Sequence, residues 1–237
     1  MKIGIIGAMR AEVEALIAQL ENKTEETVSG VTFYKGYLQN KEIVLAACGI
    51  GKVFAALCAQ TMILRYQPEY IIHTGVAGAT GEDLPIGGIA VASALVQHDM
   101  DTSPLGDPKG LISGINIVEL PTDQSLSETF LQIAGSLDYP RAKGIIASGD
   151  QFVATEQAKR ALTDEFGAIA CEIEGAAIAQ VCYVNGTPLC VLRAISDSLS
   201  GDAAMEYPVF LKLAAERFEK LAGTGLREEY QKFIKEN

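Results

Sequence analysis

Acidic residues interrupt segments of this sequence whose other residues are apolar, as is typical of a buried core. Glu12 follows the apolar run GIIGAM, and Asp197 follows the apolar run LCVLRAIS. Glu172 and Glu174 are the only charged residues in AIACEIEGAAIAQVCYV. A carboxylate buried without a partner is costly, so such acids are paired, protonated or exposed to a cleft. Carboxyl groups in these situations suit general acid–base chemistry.

Each acid also has a structural interpretation. Glu12 can be a surface residue that the helix dipole favours, and Asp197 can cap a helix or close a turn. Glu172 and Glu174 can cap backbone amides at a strand–helix junction. Arg193, inside the segment before Asp197, could neutralise a neighbouring acid. The sequence therefore indicates an acidic site only if the ends of several strands converge.

Three other segments are candidates for binding. HTGVAGATG is predicted to be a loop whose Gly75, Ala77 and Gly78 let a ligand approach the backbone, although most such loops are tight turns. Phe152, after SGDQ, could stack on a planar ring or pack into the core. His98, Asp99 and Asp101 resemble a metal cluster, but a strand would turn His98 away from the two acids.

The elements that must position these residues alternate along the chain. Apolar β-branched runs predict strands, among them KIGIIGAM, the hairpin VTFYKGYL/KEIVLAACG, GGIAVASALV, KGIIAS and TPLCVLRAIS. Helices are predicted near residues 10 and 174 and at about 52–66, 125–137, 155–166 and 207–222, with a polar helix at the C-terminus. The long stretch from about 97 to 115 is predicted to be irregular. This alternation indicates an α/β fold, a three-layer sandwich formed by one domain over residues 1–237.

Composition excludes several classes of protein. The 237 residues carry a formal net charge of −11, which repels nucleic acid. No apolar run is long enough to span a membrane, and the first residues lack the pattern of a signal peptide, so we expect a cytoplasmic protein. Only two histidines occur, which excludes a His-rich metal centre, and the five cysteines read as reduced core residues.

Six motifs in this order resemble one family. GIIGAMRAEVEAL, CGIGKVFAAL, HTGVAGA, SGDQF, CEIEGAAIAQVC and VLRAISD look like those of the bacterial 5'-methylthioadenosine/S-adenosylhomocysteine nucleosidases. That family belongs to the purine nucleoside phosphorylase and uridine phosphorylase superfamily. The resemblance implies an α/β/α sandwich around a mixed, barrel-like central sheet, a homodimer, a small nucleoside as substrate, and a reaction that needs neither metal nor cofactor.

The resemblance also implies a role for each matching residue. Glu12 would activate the attacking water, and Asp197 would protonate or hydrogen-bond N7 of adenine. Glu174, helped by Met9, would hold the ribose hydroxyls. The adenine pocket would be formed by Phe152 stacking on the base, by the backbone of Val153, and by Gly78 and Ile173. Leu105 stands where the partner subunit would supply a wall of the alkylthio subsite.

The sequence departs from the family pattern at Val76, Ile173 and Tyr207 and in TSPLGDPKGLISG, where the family usually has other residues. The expected substrates are 5'-methylthioadenosine and S-adenosylhomocysteine, with 5'-deoxyadenosine and aminodeoxyfutalosine still open. Glu12 would repel phosphate, which favours water as nucleophile, whereas Arg10 nearby keeps a phosphorolytic enzyme as an alternative. A nucleoside-binding protein without catalysis is the third hypothesis.

Overall fold

Ten strands and six helices occupy residues 1–200 and 216–225, the part of the chain that the computed structural model describes. The strands are β1 (Lys2–Gly7), β2 (Glu21–Val28), β3 (Val31–Leu38), β4 (Lys41–Ala47), β5 (Tyr70–Ala79), β6 (Ile89–Gln97), β7 (Leu120–Pro121), β8 (Arg141–Ser148), β9 (Ala168–Glu172) and β10 (Leu189–Asp197). The helices are α1 (Arg10–Gln19), α2 (Lys52–Tyr66), α3 (Gln124–Ser136), α4 (Glu156–Phe166), α5 (Gly175–Asn185) and α6 (residues 216–225). A short 3-10 helix, Ser103–Leu105, lies in the irregular stretch after β6.

The strands form one mixed sheet in the order β10-β6-β8-β9-β5-β1-β4-β3-β2. An additional pairing joins β10 to β5, so that β5, β10, β6, β8 and β9 close into a ring. Strands β1, β4, β5 and β10 run parallel, whereas β6 is antiparallel to β10 and β9 is antiparallel to β5. The carboxyl ends of β1, β5 and β10 therefore lie on the same side of the sheet.

Helices cover both faces of this sheet. On one face α2 and α5 pack their small and apolar side chains, including Cys58, Met62 and Ile178, against the strands. On the other face α1, α3 and α6 contribute residues such as Leu16 and Phe130. The predicted α/β/α sandwich with a central mixed sheet is confirmed. All five cysteines are buried and free, as expected.

Two elements differ from the prediction. The polar segment of β2, ENKTEETV, was not predicted, because an exposed edge strand has no apolar alternation to reveal it. The predicted loop around Gly75, Ala77 and Gly78 is wrong, because β5 continues through Ala79 and pairs with β10 over this segment. Small residues there reflect close approach of neighbouring side chains rather than a turn.

The C-terminal region is described only in part. Residues 216–225 are helical, in agreement with the end of the helix predicted at 207–222. Tyr207 and the predicted polar C-terminal helix lie outside the described residues. Within the described ranges, no helix has the length and apolar character that crossing a membrane requires.

Candidate active site

A cavity of about 210 Å³ opens beside the carboxyl ends of β5, β9 and β10. All eight residues predicted to act on or bind a ligand line it: Met9, Glu12, Gly78, Phe152, Val153, Ile173, Glu174 and Asp197. The remaining lining residues are Ala8, Ile50, Val76, Ala77, Gln151, Cys171, Glu172 and Ser196. The closed ring thus brings together residues that the sequence could name but could not place next to one another.

Glu12 is buried in the first turn of α1, where backbone amides hold its carboxylate. Its Oε2 accepts hydrogen bonds from the N–H groups of Ala8 at 2.7 Å and Met9 at 2.8 Å, and Oε1 accepts one from Val76 at 3.3 Å. Burial raises the pKa of Glu12, and the charge of Arg193 and the three N–H donors partly offset this effect. The interpretation of Glu12 as a surface acid is wrong, since only 5% of the residue is exposed.

Glu172 belongs to a buried network with Arg193. Its carboxylate accepts hydrogen bonds from the N–H groups of Glu174 and Gly175 at the start of α5, so the capping interpretation holds for Glu172. The Ser148 hydroxyl and the Arg193 guanidinium also donate to it. Burial alone would raise the pKa of Glu172, but the Arg193 charge, together with His73 and the Ser148 hydrogen bond, holds this pKa well below its usual range.

His73 completes this network, with Nε2 3.8 Å from Oε2 of Glu172. It is fully buried, with Nδ1 2.9 Å from the carbonyl oxygen of Ile6 and Nε2 bonded to Arg193. Burial, reinforced by the Arg193 charge, lowers the pKa of His73 to about 4. The neutral imidazole therefore donates from Nδ1 to Ile6 and accepts from Arg193 at Nε2.

Two side-chain clusters could be considered for a metal, and in both the acidic groups already have protein partners. His73, Glu172 and Glu174 have ligand atoms within 4.8 Å of one another, but the Arg193 guanidinium already occupies the first two. In the other cluster, His98, Asp99 and Asp101, which the sequence analysis disfavoured as a metal site, Asp99 pairs with Lys52 at 2.6 Å. Asp101 accepts a hydrogen bond from the N–H of Ser103.

Glu174 differs from Glu172 in both partners and charge. Its Oε1 accepts a hydrogen bond from the N–H of Gly51 at 2.9 Å, and the side chain faces the cavity. Burial and the negative charge of Glu172 raise the pKa of Glu174 to about 7. Glu174 can therefore gain or lose a proton near neutral pH.

Asp197 ends β10 with both carboxylate oxygens engaged. Oδ1 accepts a hydrogen bond from the Ser196 hydroxyl at 2.7 Å, and Oδ2 lies 2.6 Å from Nζ of Lys159. The interpretation of Asp197 as a cap or turn residue is wrong, because it is a buried strand residue. Sequence reasoning missed Lys159, although its spacing from Leu162 and Phe166 on α4 is that of one inward helix face.

Two glycines of β5 leave room for these charged groups. A Cβ atom at Gly75 would lie 2.4 Å from Nη1 of Arg193 and 2.7 Å from Oε1 of Glu12. A Cβ atom at Gly78 would lie 2.6 Å from Oδ2 of Asp197. The side chains of the candidate site therefore lie directly against the backbone of this strand.

Phe152 lies at the rim of the cavity on the segment after β8. The residue is 54% exposed, which makes core packing the wrong interpretation. The preceding Asp150 accepts a hydrogen bond from the N–H of Lys52 and donates its own N–H to Asp99. These bonds tie the segment to the start of α2 and to Asp99, which follows β6.

Of the other residues that the sequence analysis discussed, some line the cavity and some lie outside it. Val76 and Ile173 line the cavity, whereas Leu105 is 83% exposed and does not line it. Arg10 lies over the ring of Tyr34, 4.9 Å from its centroid. Within the described residues, no lysine or arginine lines the cavity.

Comparisons with known proteins agree with this architecture. The model of the phosphorylase superfamily matches residues 2–227. A Helicobacter pylori protein named aminodeoxyfutalosine nucleosidase is 40% identical over 220 residues, covering 92% of this chain and 95% of its own. The 5'-methylthioadenosine/S-adenosylhomocysteine nucleosidase of Shewanella loihica is 36% identical over 213 residues, with 89% and 92% covered.

A solved structure is similar along nearly the whole chain. The S-adenosylhomocysteine nucleosidase of Streptococcus pyogenes, in complex with 5-methylthiotubericidin, superposes with a TM-score of 0.91. It shares 34% sequence identity, and the match covers 96% of this chain and 97% of that structure. The resemblance first indicated by the motifs is confirmed. The chain belongs to the phosphorylase superfamily and, within it, to the family of nucleosidases, which are N-glycosyl hydrolases.

Proposed function

We propose that this chain hydrolyses the N-glycosidic bond of 5'-methylthioadenosine and S-adenosylhomocysteine, releasing adenine and the thioribose derivative. The observation that carries the proposal is the pair Glu12 and Asp197, two buried carboxyl groups in different surroundings on one cavity. 5'-Deoxyadenosine, which has a smaller 5' group, is a further expected substrate. Glycoside hydrolysis in general uses two carboxyl groups whose environments separate their roles.

The proposed roles follow from the charges that develop. Breaking the bond builds positive charge on the ribose and negative charge on the leaving base. Asp197 would provide the proton or hydrogen bond at N7. Glu12, held by three backbone amides, would take a proton from the attacking water and favour the cationic sugar. The reaction requires no metal, cofactor or covalent intermediate.

The other lining residues would bind the substrate. Glu174, with Met9 beside it, would accept hydrogen bonds from the ribose hydroxyls. Phe152 would stack on the adenine ring, since it lines the cavity and is 54% exposed at the rim. The backbone of Val153 would bind the edge of the base, and Gly78 and Ile173 would close the pocket.

Water is the proposed nucleophile rather than phosphate. An anion in this cavity would meet Glu12, Glu174 and Asp197, and the described lining supplies no basic side chain to bind it. Arg10, the residue that favoured phosphorolysis, is instead engaged by Tyr34 and Glu14. These contacts support hydrolysis over a phosphorylase reaction.

Aminodeoxyfutalosine is a second candidate substrate. The observation that favours it is the 40% identity with the Helicobacter pylori protein that carries this name. The two candidates differ only in the 5' substituent, so they share the proposed roles of Glu12, Glu174 and Asp197. Val76 and Ile173, where the sequence departs from the family, are the lining positions that we expect to influence the choice.

We also propose that the chain is a cytoplasmic protein with one domain, and that it works as a homodimer. Large apolar side chains are exposed along neighbouring faces of α2 and α5, a surface that we call the α2–α5 face. It consists of Val53, Phe54, Leu57, Leu64, Tyr183 and Val184. An exposed apolar surface of this kind is typical of a protein interface. In such a dimer, Leu105 would reach the partner's alkylthio subsite.

The test is adenine release from 5'-methylthioadenosine by the purified protein, followed by chromatography with and without phosphate. Equal release of adenine and free sugar in both conditions is the expected result. Formation of a sugar 1-phosphate only in the presence of phosphate would show that the reaction is phosphorolysis and would contradict the proposed hydrolysis. Aminodeoxyfutalosine and 5'-deoxyadenosine are assayed in parallel. Binding of all three nucleosides without turnover would leave only the binding-protein hypothesis.

A further inference from the structure

Lys52 is the first residue of α2, and its ammonium group is largely buried. Nζ lies 2.6 Å from Oδ1 of Asp99 and donates a second hydrogen bond to Oε1 of Gln97 at 3.1 Å. Only 19% of the Lys52 side chain and 19% of the Asp99 side chain are exposed. The first turn of a helix is the positive end of its dipole, where a basic residue is unfavourable. Helix formation therefore does not account for a lysine at this position.

Three residues form a closed cycle of hydrogen bonds, which we call the Lys52 cycle: Lys52, Asp99 and Asp150. The backbone N–H of Lys52 donates to Oδ1 of Asp150 at 2.8 Å. The backbone N–H of Asp150 donates to Oδ2 of Asp99 at 2.9 Å. The Lys52 ammonium then closes the cycle at Oδ1 of Asp99. The cycle thus joins the start of α2 to the segments that follow β6 and β8.

The segments that the Lys52 cycle joins carry two halves of the proposed nucleoside site. Gly51, next to Lys52, donates its N–H to Oε1 of Glu174 at 2.9 Å, and Glu174 is the proposed ribose-binding acid. Phe152, the proposed base-stacking residue, lies two residues after Asp150. Lys52 itself lies outside the described cavity lining. Lys52 can therefore act on a bound nucleoside through the residues that it positions.

A second connection joins Lys52 to the helix that follows Glu174. Gln97 accepts a hydrogen bond from the Lys52 ammonium and donates its own amide N–H to Oε1 of Gln180 at 2.6 Å. Gln180 belongs to α5, and Glu174 immediately precedes this helix. Two separate sets of bonds, one through Gly51 and one through α5, therefore connect Lys52 to Glu174.

We propose that Lys52 is a positioning residue that holds Glu174 and the segment of Phe152 in one fixed geometry. This inference rests on the proposed function. Without the ammonium group, Asp99 loses its charged partner and its hold on the N–H of Asp150 weakens. The ribose half and the base half of the site should then shift relative to one another. Small displacements of binding groups cost much of their effect.

The ribose half is tested with 5'-methylthioadenosine and its 3'-deoxy analogue, which lacks one hydroxyl that Glu174 would bind. We expect wild type to prefer the complete nucleoside by at least about tenfold in kcat/KM. In Lys52→Met this preference should fall by about threefold or more. General damage to the protein would lower kcat/KM for both nucleosides by the same factor. An unchanged preference would therefore overturn the proposal.

The base half is tested by the binding of adenine alone, measured by calorimetry. In Lys52→Met the Kd for adenine should rise by about threefold or more, because the segment of Phe152 is no longer held. Lys109→Met breaks an exposed ion pair of 2.7 Å with Glu165 and is the control, which should match wild type in both tests. A loss in only one of the two tests would show that Lys52 does not hold the two halves together.

Asp99→Asn is the second variant, since it removes the charge of the pair but keeps an oxygen for the N–H of Asp150. It should lower the preference for the complete nucleoside in the same direction as Lys52→Met. The double variant should be no worse than Lys52→Met alone, because both changes break one contact. Losses that multiply would overturn the proposal. A wild type that cleaves neither nucleoside would instead contradict the proposed function, and the Kd values for the two nucleosides would then provide the same comparison.

Discussion

Glu172 and Glu174, two residues apart at the end of β9, carry carboxyl groups whose pKa values are shifted in opposite directions. Both are buried, but the Arg193 guanidinium contacts Glu172 directly and holds its pKa low. Glu174 accepts a hydrogen bond from the backbone N–H of Gly51, and burial with the charge of Glu172 raises its pKa to about 7. Glu172 therefore holds the start of α5 through its carboxylate, whereas Glu174 can gain or lose a proton near neutral pH.

Stability should depend on pH through Glu174. Between pH 4.5 and about 7 the folded chain holds a proton on Glu174 that the unfolded chain releases, so the free energy of unfolding should decrease as pH rises. The decrease attributable to this group is at most about 3 kcal/mol. Urea denaturation at pH 5, 6 and 7 measures it. The Glu174→Gln variant should show a flatter dependence, and an unchanged slope would contradict the assignment.

Glu12→Gln should bind substrate but fail to cleave it. The amide oxygen can keep the hydrogen bonds from Ala8 and Met9, but the amide cannot take a proton from water. We expect kcat to fall by about 100-fold or more, with the Kd for 5'-methylthioadenosine within about threefold of wild type. Glu14→Gln, at an exposed position of the same helix, is the control. Full turnover by Glu12→Gln would remove Glu12 from the mechanism.

Gly75→Ala should damage the site without a charge change. The added methyl group would lie 2.4 Å from Arg193 and 2.7 Å from Glu12, so one of these side chains must move. We expect kcat to fall at least about tenfold, because misplaced catalytic groups lose much of their effect. At Gly81 a Cβ atom meets nothing within 4 Å, so Gly81→Ala should behave like wild type. Equal kcat values for the two variants would show that Gly75 does not position the site.

Asp197→Asn should lower stability as well as activity. It leaves the Lys159 ammonium buried without its charged partner, and breaking one side of a buried pair costs about 3–5 kcal/mol. The double variant Asp197→Asn, Lys159→Met removes both charges and should regain most of this loss in urea denaturation. Neither variant should release adenine at more than about 1% of the wild-type rate. A double variant less stable than the single one would contradict the coupling.

Leu57→Glu should separate the proposed dimer. Val53, Leu57 and Leu64 are exposed at helical spacing on α2, so a charge at the middle position would face the partner. Light scattering after size-exclusion chromatography should give a dimer for wild type and a monomer for the variant. Gln157→Glu, at an exposed position of α4, is the charge-matched control. If the wild-type protein is a monomer, the proposed dimer interface is wrong.

Sequence patterns were sufficient to predict the helices and strands whose apolar residues recur at regular spacing. The ends of α2 and the hairpin β3–β4 agree with prediction because their buried residues recur at helical and alternating spacing. The polar strand β2 carries no such pattern, since its position is set by pairing with β3. The prediction of one domain over residues 1–237 stays a prediction.

The site was predictable to the extent that its residues are unusual in their surroundings. Glu12, Glu174 and Asp197 stand out as acids in apolar segments, and the structure places them on one cavity. Lys159 lies in the charged segment TEQAKRALTDEF, where one buried lysine looks like its exposed neighbours. Which carboxyl group contacts Arg193 depends on side chains more than 20 residues apart, and local patterns carry no information about that contact.

The closed ring of β5, β10, β6, β8 and β9 divides the cavity lining into two groups for laboratory evolution. Residues on the ring strands must be kept, and residues on the connecting segments can be changed. Gly78 and Asp197 lie on strands bonded along both edges, so substitutions there disturb two neighbours at once. Ile50 and Ile173 line the cavity from connecting segments outside the ring, which tolerate change without repacking of strands. A library aimed at a new 5' group should randomise these two positions and leave the ring intact.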